Sequence, residues 1–593
     1  MARSNRPLSL ASALISCTIF YSFFVFDRIN VDASPAALPF PESVELCSKG
    51  VGQDRTAYHF QPHKYWLNDP NGPLYHNGIY HIFYQHNPKS ALWGNISWAH
   101  SISTDLINWR SLDLALDRTD SYDINGCWSG SITVLPGDRP VILYTGIDSE
   151  NRQVQNIAFP KNDSDPLLRE WIKPKYNPII LPDEDLIVTK FRDPTTAWLG
   201  HDGHWRITIA ALVAEMATAL LYRSKDFVHW VRAESPLYFS QISGMWECPD
   251  FFPVSLKGKE GLDTSVNADN TKHVLKVSLM RTLQDYYILG RYDEGRDMFV
   301  PEDSSVIDDY RVLSRMDYGN FYASKSFFDK QKNRRVVWAW SNESDSTSDA
   351  VKKGWAGIMS FPRTIWLDSN GKQLVQWPIE EIESLRREEV HLHDLELKAG
   401  GLQDIEGIKA SQADIEIEFE IPSLERAEPF DPTWLLDPEK LCGERGAFVQ
   451  GGVGPFGLLV LASEDLEEHT AIFFRVYKAN NSHMVLMCSD QRRSSSRAGI
   501  YKPTYGGFVG IDIEKDRRVS LRTLIDHSVV ESFGGGGRTC IIARVYPEHL
   551  LTTNTFLYAF NNGHEAVKVP ELTAWELATP HVNREDENFA MPK

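Results

Sequence analysis

The chain has 593 residues, 42% hydrophobic and 24% charged, which suits folded globular domains and excludes extensive disorder; the length suits two large domains rather than one. Its 61 Lys and Arg stand against 80 Asp and Glu, a formal net charge of −19. Such a surface repels phosphate backbones, so no nucleic-acid partner is expected, whereas a neutral substrate meets no electrostatic objection.

The N-terminus reads as a targeting segment. Arg3 and Arg6 precede an apolar run from Leu8 to Phe26, closed by Asp27 and Arg28. Val31-Asp32-Ala33 before Ser34 offers a small-residue cleavage site, so residues 1–33 are read as a signal peptide. The run is long for a signal, and an uncleaved anchor is the alternative. No later segment is apolar enough to span a bilayer, so no membrane attachment is expected after signal removal. Asn-X-Ser triplets at Asn95, Asn162, Asn342 and Asn480 are candidate glycosylation sites that fit a secretory route. Of seven cysteines, Cys17 lies in the targeting segment. The remaining six allow one or two bridges but not a disulfide scaffold, and no C-x-x-C pair suggests a zinc ribbon.

From about Ala57 to Trp366 the text consists of short apolar-aromatic runs broken by Asn, Asp, Gly and Pro. Ile79–Gln85, Val141–Thr145 and Val336–Trp340 are examples. They predict many short strands, as in a propeller, barrel or sandwich. No WD or kelch-like repeat selects among these. Around Gln376 to Glu389, Ile379, Ile382 and Leu385 fall at helical spacing among Glu and Arg. This predicts a linker with a short helix. Beyond it, Ala413–Phe419 alternates apolar with acidic residues, a period-two strand with one acidic face. The second region reads as an antiparallel sandwich. The domains are placed at 53–376 and 390–585, joined by a linker at 377–389.

Three carboxylates have a chemical context. Asp69 lies in Trp66-Leu67-Asn68-Asp69-Pro70-Asn71-Gly72, where Pro70 bars helix and Asn-Gly forces a turn. An ordinary Asx-turn is the bland alternative. Asp193 follows Arg192, whose cation would hold it ionised; a structural ion pair would look the same. Glu247 sits among Met245, Trp246, Cys248 and Phe251, where desolvation would favour the protonated form that a general acid needs. A buried structural Glu is the alternative there. Together they suit glycoside hydrolysis, in which a retaining enzyme sets its nucleophile and acid/base roughly 5–5.5 Å apart.

The Trp66–Gly72 motif resembles the signature of the β-fructofuranosidases, glycoside hydrolase family 32. Phe191-Arg192-Asp193-Pro194 and Trp246-Glu247-Cys248-Pro249-Asp250 resemble its other two carboxylate motifs, in the family's order. The similarity covers almost the whole mature chain and is strongest to plant acid invertases and fructan exohydrolases. It implies an all-β fold, an N-terminal five-bladed β-propeller followed by a C-terminal β-sandwich. It implies Asp69 as nucleophile, Glu247 as acid/base and Asp193 as the residue that binds fructose hydroxyls and stabilises the transition state. Asn68, Gln85, Ser129 and Arg192 match polar pocket residues, and Trp66, Trp93 and Trp128 match an aromatic wall. For each Trp, core packing is the competing explanation. Cys442 and Cys488 match the cysteine pair bridged within the sandwich of plant members. No metal or organic cofactor is implied, and a monomer is expected. Pro249 matches wall-type rather than vacuolar-type members, which implies a secreted, apoplastic address. His86 and Ala99 depart from the family's Tyr and Gly, without removing a catalytic group.

In sucrose-cleaving wall invertases, an Asp and a Lys three residues later help to hold the glucose unit. The matching positions here are Met280 and Leu283, both apolar. A site without its hydrogen-bonding carboxylate loses discrimination for that sugar. The resemblance therefore implies a fructan exohydrolase poor on sucrose, with levan-type β-2,6 linkages slightly favoured over inulin-type β-2,1. Cell-wall invertase is the alternative. A fructosyltransferase would need water excluded from the fructosyl-enzyme, and a non-catalytic sugar-binding protein would lack one of the carboxylates. No G-x-S-x-G elbow suggests a serine hydrolase, and Gly534–Gly537 lacks the Lys of a phosphate loop.

Overall fold

Runs of β-branched and aromatic residues this short, each ended by a turn residue, pair with the next run along the chain. The computed structural model describes residues 54–241, 243–303, 309–548 and 555–583. The signal-peptide expectation for residues 1–33 lies outside the described residues. Between Tyr65 and Pro378 the strands form five small sheets in sequence order. Their leading strands are Tyr65–His76, Gly126–Leu135, Phe191–Arg192, Trp246–Ser255 and Tyr322–Asp329. Tyr65–His76 contacts both Gly126–Leu135 and Tyr322–Asp329, and Trp246–Ser255 also contacts Tyr322–Asp329. Trp355–Ala356, from the fifth region, adds to the edge of the first sheet in parallel.

A short helix lies where the spacing of Ile379, Ile382 and Leu385 predicted one. Glu380–Leu385 is a 3-10 helix with Ile382 and Leu385 buried. Apolar residues at strict spacing of three align on one face of a 3-10 helix, which has three residues per turn. They pack with Leu524 and Phe533 of the following region. That region holds a six-stranded and a seven-stranded sheet around one shared core, with Ile415, Phe419 and Leu521 facing Phe456, Phe474 and Val485. The period-two strand spans Gln412–Glu420, but its acidic face is not uniformly wet. Asp414 is fully buried, because Arg522 donates to it at 2.8 and 2.9 Å and Arg386 at 2.8 Å. Cys442 and Cys488 form a disulfide; Cys127, Cys248 and Cys540 are buried and free.

The two regions meet across a chain of buried charges that no local motif announced. Arg363 reaches Asp317 at 2.8 Å and Glu531 at 2.6 Å. Glu531 meets Nε2 of His59 at 3.0 Å, and Nδ1 of His59 meets Asp526 at 2.9 Å. Asp526 also accepts the backbone N–H groups of Ala57, Tyr58 and His59. All five side chains are fully buried, so each charge relies on its neighbours.

Burial alone lowers the His59 pKa, but its bonds to Asp526 and Glu531 outweigh that and raise it. A raised folded pKa stabilises fully below the unfolded value of about 6.5, and the gain is lost as pH rises through the folded value. The melting temperature should therefore fall as pH rises above about 6.5, by calorimetry. His59→Gln should flatten that dependence and cost about 3–5 kcal/mol, as expected for one partner lost from a buried ion pair. An equally steep fall in the variant would show that His59 is not its source.

Candidate active site

Four leading strands break register where chemistry-bearing residues sit. The breaks fall between Leu67 and Pro70, Cys127 and Gly130, Glu247 and Asp250, and Tyr322 and Lys325. A bulge removes ladder bonds and re-aims side chains, so Asn68, Asp69, Trp128, Ser129 and Cys248 leave the regular pleat. In the third sheet the strand ends at Arg192, and Asp193 adopts a left-handed φ of 68°. Gly130 permits its bulge, because a Cβ there would lie 2.0 Å from the Leu143 carbonyl oxygen. The freed carbonyls find buried ammonium groups. Lys276 donates to Cys248 O at 2.6 Å, and Lys325 to Pro249 O at 3.2 Å.

A directed relay ends on Asp69. Trp66 Nε1 donates to Asn68 Oδ1 at 2.8 Å, and Asn68 Nδ2 donates to Gln85 Oε1 at 2.8 Å. Gln85 Nε2 donates to Ser129 Oγ, which donates to Asp69 Oδ2 at 2.5 Å. Asn68 Nδ2 also donates to Asp69 Oδ1 at 3.0 Å. The Cys248 thiol sits between two carboxylates, 3.2 Å from Asp69 and 3.6 Å from Asp193. Its backbone N–H donates to Asp193 at 2.8 Å. Glu247 is gripped on both oxygens. Arg192 donates from Nη2 at 2.9 Å and from Nε at 3.1 Å to Oε1, and the Tyr322 hydroxyl donates to Oε2.

This corrects the sequence reading of Arg192. Its cation bonds Glu247 and stands 4.0 Å from Asp193. Burial pushes Asp193 up to about 6 against the pull of Arg192, helped by the charges of Glu247 and Asp69. Burial likewise raises Asp69, with the Ser129 bond opposing it and the Glu247 charge adding to it. Glu247 is not the isolated desolvated acid that its apolar neighbours suggested, since 17% of its side chain is exposed and a guanidinium faces it.

Trp66, Trp93 and Trp128 share one cluster with Trp340, which the sequence reading missed. Trp93 and Trp128 meet edge to face at 6.0 Å, and Arg192 lies over Trp128 at 5.9 Å. His86 bonds the Trp66 carbonyl through Nδ1 at 2.7 Å, and burial pushes its pKa down to about 4. Met280 joins the site, its sulfur 3.7 Å from Arg192 Nη2. Leu283 instead sits 51% exposed at the tip of the same hairpin. Tyr322 and Cys248 were also missed. Tyr322 stands at a register break that no Pro or Gly in its strand marks, whereas Cys248 adjoins the Glu and could have been found. Among the described residues, no group of three or more His, Cys, Asp or Glu is arranged to hold a metal ion. Asn95, Asn162 and Asn480 are exposed, whereas Asn342 is partly buried.

Comparison with known proteins is consistent along the chain. Residues 59–378 match the Glycosyl hydrolases family 32 N-terminal domain and residues 381–576 the Glycosyl hydrolases family 32 C terminal model. A β-fructofuranosidase of Oryza sativa subsp. indica, insoluble isoenzyme 7, is 62% identical over 534 residues, 89% of this chain and 90% of the relative. A fructan 6-exohydrolase of Triticum aestivum is 59% identical, over 90% and 92%. The crystal structure of fructan 1-exohydrolase IIa from Cichorium intybus superposes with a TM-score of 0.87 at 50% identity, over 89% of this chain and 98% of that one. A variant of that enzyme has been solved in complex with 1-kestose.

Asp193 should half-titrate near pH 6. Glu247→Gln removes a neighbouring negative charge and should lower that midpoint. Arg192→Gln removes the nearby cation and should raise it. Carbon-13 NMR of aspartate-labelled protein reads both shifts, and no movement in either variant would contradict the electrostatic account.

Proposed function

The chain belongs to glycosyl hydrolase family 32, and from that premise we propose that it is a secreted fructan exohydrolase, removing terminal β-D-fructofuranosyl units with retention and acting poorly on sucrose. It is a glycoside hydrolase, and homologues of this family act on fructosides. The five leading strands, whose contacts return to the first sheet, support a five-bladed propeller over 53–376. The two sheets on one core support a sandwich over 390–585 after a linker at 377–389.

In this reading Asp69, ionised and aimed by Ser129 and Asn68, attacks the fructosyl C2. Glu247 protonates the leaving oxygen and then activates water, while Arg192 and Tyr322 fix its two oxygens. Asp193 binds fructose hydroxyls and faces the developing cation. Asn68, Gln85, Ser129 and Arg192 complete the polar lining, and Trp66, Trp93 and Trp128 the apolar wall.

Met280 carries the leaving-group reading. It brings an apolar thioether to the same Arg192 nitrogen that holds Glu247, where a sucrose-cleaving relative would be expected to present a carboxylate. Of the two linkages we favour β-2,6, in line with the name of the Triticum relative, a fructan 6-exohydrolase. The second reading is a cell-wall invertase, favoured by the name of the Oryza relative. That name, an insoluble isoenzyme, also supports an apoplastic address after removal of residues 1–33. So does the Cys442–Cys488 bridge, since such bonds persist in oxidising compartments. We expect a monomer without cofactor, glycosylated among Asn95, Asn162, Asn342 and Asn480.

Free glucose and fructose released separately from sucrose, inulin and levan at mildly acid pH test the proposal. Fructose from a fructan with little glucose from sucrose supports it, and the preferred polymer assigns the linkage. Equimolar glucose and fructose from sucrose, with fructans slow, would make it an invertase. Glu247→Gln should cut turnover of natural substrates by about 10²–10⁴, the contribution of a general acid/base. Met280→Asp with Leu283→Lys should raise sucrose hydrolysis at least about tenfold, and no gain would refute the assignment of this hairpin.

A further inference from the structure

The hairpin turn that carries Met280 and Leu283 is anchored at both ends, by different halves of the protein. At its first end, Met280 N–H donates to the Met245 carbonyl at 3.3 Å, and the Met280 sulfur meets Arg192. The N–H groups of Thr282 and Leu283 fold back on the Leu279 carbonyl at 3.1 and 2.9 Å. Leu283 sits at the tip with a left-handed φ of 53°.

At its second end, Gln284 Nε2 donates to Glu439 Oε1 at 3.1 Å. The same oxygen accepts from Arg315 Nη1 at 2.5 Å, and Arg315 faces Tyr286 across the sheet. The Tyr286 hydroxyl in turn donates to Gln284 Oε1 at 3.1 Å. Glu439 belongs to the C-terminal region. It is the second residue of the helix Pro438–Glu444, whose first turn is capped by Asp437. Three residues on, Cys442 bonds that helix to the strand His483–Asp490 through its disulfide. The Glu439 carbonyl accepts from Thr504 Oγ1 at 3.0 Å.

We propose that Glu439 is a positioning residue for the leaving-group side of the active site, setting where the Met280–Gln284 turn stands relative to Arg192 and Glu247. The inference rests on the fructoside-hydrolase reading above. An exposed turn has few contacts of its own, so its anchors decide its position. The groups that hold Asp69, Asp193 and Glu247 all come from the first five sheets and do not involve Glu439. The helix bearing Glu439 is fixed to its own sheet by a covalent bond, so it can act as a fixed post. Loss of this post should degrade the fit of a large leaving group and spare the chemistry at C2.

The test compares kcat/KM of the full secreted chain on a short fructan oligosaccharide and on methyl β-D-fructofuranoside, whose leaving group is too small to reach the turn. Glu439→Ala should lower the value for the oligosaccharide about tenfold, mainly through KM, and leave the methyl fructoside within about twofold. Glu439→Gln keeps an acceptor for Gln284 and should recover part of the loss. The double variant Cys442→Ser with Cys488→Ser should shift the ratio in the same direction. An equal fall on both substrates in Glu439→Ala, or no change on the oligosaccharide, would overturn the proposal. A wild type that releases no fructose from either substrate would overturn the hydrolase reading itself, and the proposal with it.

Discussion

Three carboxylates crowd one desolvated pocket, and their mutual repulsion is the constraint that the surrounding structure answers. Glu247 raises the cost of ionising both Asp69 and Asp193, and Asp69 that of ionising Asp193. The pocket tolerates them because every one has donors of its own. Asp69 has Ser129 and Asn68, Asp193 has the Cys248 N–H, and Glu247 has Arg192 and Tyr322. These donors come from five different sheets, so the site exists only when the sheets stand in register with one another. The bulges make this possible. A regular ladder would commit the same backbone groups to its neighbours and point the same side chains along the pleat. Lys276 and Lys325 then satisfy the carbonyls that the bulges release.

The relay from Trp66 through Asn68, Gln85 and Ser129 to Asp69 has a fixed direction, because an indole N–H only donates and an ionised carboxylate only accepts. Each amide orientation between those ends is thereby determined. Hydrogen bonds in such a line polarise one another. The aromatic residue at the pocket wall is therefore electrically connected to the carboxylate as well as sterically beside it.

Much of this was legible in the sequence, for reasons that can be named. Asp69, Asp193 and Glu247 lie in compact motifs with Pro or Gly next to them, because a bulge or a left-handed residue demands a local signature. The strands were legible because their periodicity is a property of the strand itself. Tyr322, Trp340 and His59 were not, because each is an ordinary residue in its own segment and gains meaning from partners distant in sequence. Arg192 was misread for the same reason. Its neighbour in the chain is Asp193, but its partner in space is Glu247. Asp414 shows what alternation leaves out, since it predicts which face a residue occupies but not whether arginines will cover that face.

The buried charges that join His59 to Asp526 and Arg363 to Glu531 bear on how the protein is made. His59 and Asp526 are 467 residues apart in sequence. At a synthesis rate of about 5–20 residues per second, His59 leaves the ribosome roughly 20–90 seconds before the carboxylate that completes its site. During that interval the N-terminal half has its strands but lacks two of the anions that its interior cations require. Its native interior is thus settled only after the last strands emerge, and maturation is a property of the whole chain rather than of the half that carries the three carboxylates.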